Sequence, residues 1–176
     1  MLLDHLVQKT ETYPLTQEMR RTISMASVLH DIGKMEIGEQ VLNSPEPRTP
    51  EDEEIMRQHT LLGARMLEEL DAYRDEDFVR VAYQICRWHH ERYDGSGYPD
   101  QLVGEQIPIA AQVVGLADAY ETLTTGSGSQ PPVPCAAAVQ MLCTGEAGAF
   151  NPVLLDCLRE IENEIDDAMR RRPETL

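Results

Sequence analysis

The chain has 176 residues and a formal net charge of −16, from 31 acidic and 15 basic side chains. This length fits one domain whose core needs no disulfides, and the acidic charge argues against a nucleic-acid polymer as partner, because surfaces that follow phosphates need clustered Lys and Arg. No apolar run reaches the ~18 residues of a membrane span, no secretory signal opens the chain, and the 4 cysteines lack CxxC spacing, so a soluble cytoplasmic protein without a membrane partner is predicted.

Helical periodicity dominates the first half of the chain, and strand-like alternation is nearly absent, which predicts an all-α protein. The predicted helices cover about 2–10, 16–30, 49–70 and 76–91, with a loop at 43–48 and a turn at 94–99. Thr16 and Thr49 are expected to cap two of these helices, and Pro50 suits a first helical position.

The second half continues the helical pattern. Pro108 is expected to open a helix that runs to about 123, and two further helices are predicted at about 136–143 and 152–172. The segment 126–134 is predicted to be a flexible loop because it is rich in Gly, Ser and Pro. No internal repeat or second domain is visible, so residues 1–176 are predicted to form a single domain.

Four predicted helices carry a metal-capable side chain on the face that should meet the core. These residues are His30, His59, His89 and Asp118, and each lies at the +3 and +4 spacing of one apolar helix face. In chain order, their apolar companions are Met19, Ile23 and Ala26; Ile55, Leu62 and Met66; Phe78, Ala82 and Ile85; and Ile107, Ala111 and Val114. A buried imidazole or carboxylate is costly unless it is hydrogen-bonded or bound to a metal, so the four are expected to meet in one site.

Two of these residues have a neighbour of ligand type, Asp31 beside His30 and His90 beside His89. Adjacent helical residues point about 100° apart, so neighbours serve one site only near a helix end or where two ions lie side by side. The six residues offer enough ligands for two divalent metal ions, and their nitrogen and oxygen donors favour iron or manganese, with zinc, nickel and magnesium as alternatives. Taken singly, each has an ordinary alternative: an inward His can be a hydrogen-bonded core residue, the His pair can end a solvated helix, and Asp118 can pair with a backbone donor.

Longer motifs surround these residues: His30-Asp31-Ile32-Gly33-Lys34, then His59, then His89-His90-Glu91 with Asp94-Gly95-Ser96-Gly97-Tyr98-Pro99, then Ile107-Pro108 and Asp118-Ala119-Tyr120. In this order and at this spacing they resemble the HD-GYP family. The match spans about 15–123 and continues weakly through 148–152. A bare His-Asp pair is weak evidence, whereas HDxxK and HHExxDGxGYP in one chain are specific.

The resemblance implies an HD-domain helical bundle with additional C-terminal helices of HD-GYP type, and hydrolysis of cyclic di-GMP, or a related small anionic nucleotide, to pGpG or GMP. It implies metal ligation by the six residues, with Asp31 bridging the ions. Asp31 and Lys34 would be catalytic, since two ions activate a water for in-line attack and Lys34 can reach a phosphate oxygen. Gly97, Tyr98 and Pro99 would bind substrate and contact a GGDEF-domain partner. The alternatives are a solvated Lys34 and an ordinary turn at 97–99.

The chain departs from the family pattern in two places. Family members usually have a further ligand His on the first helix, and His5 is instead expected to be a surface or packing residue, so this chain is expected to lack part of that helix. Ser127 and Gln130 stand where an Arg and a Lys usually grip the substrate phosphates. The alternative function is therefore a degenerate module that binds metal, nucleotide or a GGDEF partner with little turnover. A third alternative, an HD hydrolase for nucleoside triphosphates or guanosine tetraphosphate, explains only the HD pair.

Overall fold

The computed structural model describes residues 1–45, 48–73, 76–126 and 130–170. Within these ranges the chain is helical and contains no strand, so the predicted all-α fold is confirmed. The α-helices are α1 Leu2–Lys9, α2 Gln17–Ala26, α3 Glu39–Leu42, α4 Pro50–Arg57, α5 His59–Glu68, α6 Asp77–Trp88, α7 Ile109–Thr125, α8 Cys135–Thr144, α9 Pro152–Glu160 and α10 Glu162–Arg170. Short 3-10 helices lie at Ser27–Leu29, Ile32–Glu36, Asp71–Tyr73 and Gly104–Gln106. None of the helices in the described ranges is long and apolar enough to cross a lipid bilayer.

Side-chain caps fix the starts of α2 and α4. The Thr16 hydroxyl accepts a hydrogen bond from the Met19 amide at 3.1 Å, and the Thr49 hydroxyl accepts one from the Asp52 amide at 3.1 Å. Each cap satisfies an amide that has no partner within its helix, and Pro50 lies in the first turn of α4, where an N–H is not needed. Both predicted caps are confirmed.

Two predicted helices are interrupted just before a candidate ligand. The helix expected at 16–30 ends at Ala26 and tightens into a 3-10 turn, and the helix expected at 49–70 divides at Gln58 into α4 and α5. The Gln58 amide bonds to the Ile55 carbonyl, three residues back, at 3.1 Å, which is the 3-10 pattern. Apolar spacing of +3 and +4 fits both kinds of helix, so periodicity does not show where the chain tightens.

Three of the apolar companions predicted to face the core are exposed instead: Met19 at 47%, Ile55 at 39% and Phe78 at 37% of their full surface. Met19 and Phe78 lie in the first turns of α2 and α6, at the edge of the core. Ile55 precedes the break at Gln58, so it does not share a helix face with His59. The other companions are buried or half-buried, as predicted.

The C-terminal half follows the prediction with one interruption. α7 and α8 agree closely with the helices expected from Pro108 to about 123 and at 136–143. The helix expected at 152–172 divides at Ile161 into α9 and α10. Residues 171–172 of that helix and residues 127–129 of the predicted flexible loop lie outside the described ranges.

α6 is the central helix of the bundle and packs against α2, α5 and α7. Near its C-terminal end, a Cβ on Gly115 of α7 would lie only 2.2 Å from the His89 carbonyl oxygen. At the start of α5, a Cβ on Gly33 would lie 2.0 Å from the His59 carbonyl oxygen. Only glycine permits so close an approach of two backbones. These two glycine contacts, Gly33 against His59 and Gly115 against His89, fix the spacing of the segments that carry the candidate ligands.

Candidate metal centre

His30 ends the 3-10 turn that follows α2, and its Nδ1 lies 2.8 Å from the Ser27 carbonyl oxygen. A carbonyl oxygen can only accept a hydrogen bond, so Nδ1 carries a proton. Nε2 lies 3.2 Å from Asp31 Oδ2 and 3.8 Å from Asp118 Oδ1. The hydrogen bond with Asp31 raises the pKa of His30, because it favours the protonated ring. Nε2 of His30 therefore faces two carboxylates.

His59 and His89 face each other inside the bundle. Their Nδ1 atoms lie 2.7 Å from the Met56 carbonyl oxygen and 2.9 Å from the Ile85 carbonyl oxygen, so each ring carries its proton on Nδ1. Both residues are 1% exposed, and burial lowers the pKa of each, to about 3 for His89, so both rings are neutral near pH 7. Their Nε2 atoms lie 3.4 Å apart, so two lone pairs oppose each other. A shared cation would relieve that opposition.

Asp31 lies between these rings and a lysine. Its Oδ1 is 3.3 Å from His59 Nε2 and 4.0 Å from His89 Nε2, and its Oδ2 accepts a hydrogen bond from Lys34 Nζ at 2.6 Å. Burial raises the pKa of Asp31, but the hydrogen bonds from His30 and Lys34 together hold it well below its ordinary value, so the carboxylate is ionised. Oδ1 is buried and has no hydrogen-bond partner among the residues that the structure describes. An ionised oxygen that is buried without a donor and faces two imidazole lone pairs fits a metal cation.

His90 completes a group of three imidazoles. Its ring centroid lies 4.1 Å from that of His89 and 5.1 Å from that of His59. One ligand nitrogen from each of the three rings lies within 4.8 Å of the other two, a spacing that could hold a metal ion. Burial lowers the pKa of His90, so this ring too is neutral near pH 7 and can offer a lone pair.

Asp118 stands at the edge of the group. It is half-buried on α7, and burial raises its pKa. A groove of about 690 Å³, bounded by α1, α2 and α7, opens beside Asp118 and His30. The structure thus brings together all six residues expected in one site, the His/Asp cluster: His30, Asp31, His59, His89, His90 and Asp118.

His5 lies apart from this cluster. Its Nε2 is 2.6 Å from Glu160 Oε2 on α9, and the neighbouring Lys9 pairs with the same carboxylate. This arrangement agrees with the expectation that His5 is a surface or packing residue.

The turn that follows α6 is held in place by two carboxylates. Glu91 is 5% exposed and accepts hydrogen bonds from the amides of Asp100 and Leu102 at 2.7 and 3.1 Å. Asp100 accepts hydrogen bonds from Arg87 Nε and Trp88 Nε1, both at 2.7 Å. Sequence reasoning treated Glu91 only as part of a motif and did not single out Asp100. The available sequence signal was Glu91 itself, an acidic residue directly after a helix end, where its carboxylate can accept hydrogen bonds from the amides of the following turn.

Within this turn, Tyr98 is the residue that reaches the cluster. Its ring stacks on His90 at a centroid distance of 4.8 Å. Gly97 is buried, and a Cβ there would lie 2.3 Å from the Arg92 backbone nitrogen, so the turn can pack this closely only with glycine. Pro99 is half-buried.

Cationic side chains lie around the cluster, among them Lys34 beside Asp31, Arg57 over the Tyr98 ring, and Arg92 against the Phe150 ring. Sequence reasoning found Lys34 and missed both arginines. The sequence feature that could have indicated them is their position close to candidate ligands in an acidic chain: Arg57 lies two residues before His59, and Arg92 lies two residues after His90. Gln130 is exposed, and Ser127 lies outside the described ranges.

In a comparison with known proteins, residues 5–153 match a family model described as HD domain. The chain is 34% identical over 149 residues to a cyclic di-GMP phosphodiesterase of Thermotoga maritima, covering 85% of this chain and 39% of that protein. It is 36% identical over 148 residues to the cyclic di-GMP phosphodiesterase response regulator RpfG of Xanthomonas campestris, covering 84% and 38%. A 3'3'-cGAMP-specific phosphodiesterase 2 of Vibrio cholerae is 30% identical over 148 residues, with 84% and 28% covered. The chain thus spans about two fifths or less of these relatives.

Among solved structures, the chain is similar to Bd1817, an HDG"Y"P protein from Bdellovibrio bacteriovorus. The TM-score is 0.68 at 24% identity, and the likeness covers 92% of this chain and 49% of that one. The two proteins therefore share a fold, and the predicted helical bundle with additional C-terminal helices is confirmed.

Proposed function

We propose that this chain, which belongs to the HD domain family, is a metal-dependent phosphodiesterase domain that hydrolyses cyclic di-GMP to pGpG or GMP. The HD-GYP resemblance predicted from its motifs is confirmed by the relatives it matches. The observation that carries the proposal is the environment of Asp31, whose buried and ionised Oδ1 has no donor within the described part of the chain and faces the unprotonated nitrogens of His59 and His89.

The six residues of the His/Asp cluster would hold two divalent metal ions. Bound ions of this kind supply a hydroxide near neutral pH and offset the negative charge of a phosphodiester. Neutral imidazoles and carboxylates suit iron or manganese, with zinc, nickel and magnesium as alternatives. The Nδ1 hydrogen bonds of His59 and His89 to backbone carbonyls support this role, because they fix each ring with Nε2 pointing into the cluster.

Lys34 would act on both the site and the substrate. Its ammonium group holds the Asp31 carboxylate in place at 2.6 Å, and 41% of its side chain is exposed, which leaves N–H donors for a phosphate oxygen. Tyr98 would bind substrate beside His90. Burial raises the pKa of Tyr98, so its phenol stays protonated and can donate a hydrogen bond. The turn at 97–99 as a contact for a GGDEF-domain protein stays a prediction.

The substrate is inferred from relatives and from chemistry. Two relatives at 34% and 36% identity are named for cyclic di-GMP, and one at 30% is named for 3'3'-cGAMP. Both molecules are small cyclic dinucleotides with two negatively charged phosphodiester groups. The cationic groups around the cluster can offset that negative charge locally, although the chain has a net charge of −16. The degenerate module remains a second candidate, favoured by uncharged Ser127 and Gln130.

Product analysis tests the proposal. The full chain is purified without metal, loaded with Fe²⁺ or Mn²⁺, and incubated with cyclic di-GMP, with GTP and guanosine tetraphosphate as comparison substrates. We expect pGpG or GMP from cyclic di-GMP alone, and a loss of rate of about 100-fold or more in Asp31→Asn. Binding of cyclic di-GMP without product would favour the degenerate module, and cleavage of GTP or guanosine tetraphosphate in preference would overturn the assignment of substrate.

A further inference from the structure

We propose that Arg57, at the end of α4, binds the substrate through a phosphodiester group that is not the one being hydrolysed. The proposal rests on the proposed function, since it names a further contact of the same site. A cyclic dinucleotide carries two phosphodiester groups, and only one can lie at the metal centre at a time. The second is an anion in an acidic protein and needs a cation of its own.

The position of Arg57 suits this contact. Its guanidinium carbon lies 5.1 Å from the centroid of the Tyr98 ring, and that ring stacks on His90 at 4.8 Å. Tyr98 thus contacts both Arg57 and the candidate metal ligand His90. Arg57 also precedes a second candidate ligand, His59, by two residues in the chain. A phosphate group at the cluster would place the rest of a small dinucleotide within reach of this side chain.

The charged group of Arg57, unlike those of Lys34 and Arg92, is not already paired with another described residue of the protein. Lys34 is engaged with Asp31 at 2.6 Å, and Arg92 packs on Phe150 and donates a hydrogen bond to the Glu91 carbonyl. The Arg57 side chain is exposed, and its guanidinium has no hydrogen-bond or ion-pair partner among the residues that the structure describes.

The contact with Tyr98 would prepare Arg57 for a phosphate. A guanidinium held over an aromatic ring keeps the N–H donors at its planar edge available, and that edge matches two phosphate oxygens at once. Restricting the side chain in this way also lowers the entropy lost on binding. Lysine at this position would keep the charge but lose the planar edge.

The test compares Arg57→Ala, Arg57→Lys and the control Arg80→Ala in the metal-loaded full chain. Arg80 is exposed near the start of α6 and pairs only with Asp77 of its own helix among the described residues, so its removal changes the net charge equally. Binding is measured by calorimetry with a phosphorothioate analogue of cyclic di-GMP, which resists hydrolysis, and with the same analogue of cyclic di-AMP. Turnover of bis(p-nitrophenyl) phosphate, which has a single phosphodiester, and metal content are measured in parallel.

We expect Arg57→Ala to weaken binding of both analogues by about 10-fold or more, Arg57→Lys to weaken it less, and Arg80→Ala to leave it within about 2-fold. Turnover of bis(p-nitrophenyl) phosphate should fall far less than the affinity for the cyclic dinucleotide analogues, and metal content should not change. Unchanged affinity in Arg57→Ala would overturn the proposal, as would a loss confined to the guanine analogue, which would mean that Arg57 reads the base. A parallel fall in metal content would assign Arg57 a structural role through Tyr98 and would also overturn it.

The affinities of the Arg57 variants can be interpreted independently of whether the chain has the proposed activity. If the wild-type chain binds the analogue but does not cleave cyclic di-GMP, the proposed activity fails and the affinities still decide the role of Arg57. If the wild-type chain binds neither analogue, both proposals fail.

Discussion

Three histidines of the cluster take their orientation from their own helical turn. His30, His59 and His89 each have Nδ1 within 2.9 Å of a carbonyl oxygen three or four residues earlier in the chain. This local bond sets the position of the ring proton, and Nε2 is left to face Asp31. The sequence could indicate that these histidines are candidate metal ligands. It could not indicate which ring nitrogen carries the proton, because that depends on the tightened turns before His30 and His59.

His59 provides the sharpest test of the metal centre at this scale. Its Nε2 lies within 3.4 Å of both Asp31 Oδ1 and His89 Nε2, so His59→Ala removes one ligand from the middle of the cluster. We expect metal content at fixed free metal to fall by about 10-fold or more. Elemental analysis after dialysis measures it, with His5→Ala, which changes a His bound to Glu160, as the matched control. Equal metal content in His59→Ala and wild type would show that the site is misassigned.

Asp100 gives a pH-dependent prediction. The hydrogen bond from Arg87 lowers the pKa of Asp100, so its stabilising contribution is present above the ordinary Asp pKa of about 3.9 and is lost as pH falls through the lowered value. Both side chains are partly exposed, so we expect Asp100→Asn to lower the free energy of unfolding by only about 1 kcal/mol at pH 7. Thermal unfolding measured between pH 7 and pH 3 should show this difference shrinking at the acid end. A difference that grew on acidification would contradict the assignment.

At the scale of elements, the helices and their inward faces follow from periodicity, whereas their interruptions do not. Thr16 and Thr49 cap as predicted because capping depends on a few adjacent residues. Ile55 was predicted inward and is exposed because the break at Gln58 changes the register between α4 and α5. Arg57 could not be assigned from sequence, since its place beside Tyr98 depends on the packing of distant segments.

The two glycine contacts can be tested at this scale. Gly33→Ala and Gly115→Ala would each place a Cβ about 2 Å from a backbone carbonyl oxygen, so two segments must separate. We expect a loss of about 3 kcal/mol or more in the free energy of unfolding, together with weaker metal binding. Gly38→Ala is the matched control, because a Cβ there meets nothing within 4 Å. Chemical denaturation measures all three, and a Gly33 variant as stable as the Gly38 variant would contradict the close packing.

For the whole molecule, a polar network joins the N-terminal segment to α7 and α9. Asn151 Nδ2 donates to the Tyr13 hydroxyl at 2.6 Å and to Gln112 Oε1 at 2.7 Å, and the Tyr13 hydroxyl donates to Glu105 at 2.7 Å. Asn151 is 2% exposed. Buried polar groups in such a network depend on each other, because a lost partner leaves a neighbour desolvated without a hydrogen bond.

Asn151→Ala should therefore be costly. It removes the donor to Tyr13 and Gln112 and the acceptor for the Val153 amide at the start of α9. We expect a loss of about 2 to 4 kcal/mol in the free energy of unfolding from the unsatisfied groups and the lost cap. Asn43→Ala, at an exposed position, should change stability by less than about 0.5 kcal/mol. Urea unfolding of both variants checks this, and equal losses would show that the network contributes little.

The backbone contacts at Gly33 and Gly115 also bear on which parts of the protein open first. Around His59 and His89 a glycine joins two separate segments of main chain, whereas the close glycine contact after Glu91, Gly97 against Arg92, is local to the turn, and the amides of Asp100 and Leu102 bond to a side-chain carboxylate. In native-state hydrogen exchange, the amides around His59 and His89 should exchange only through global unfolding and the amides of 94–103 through local opening. The helical segments that carry the ligands would then stay closed while the turn that carries Tyr98 opens and shuts between α6 and α7.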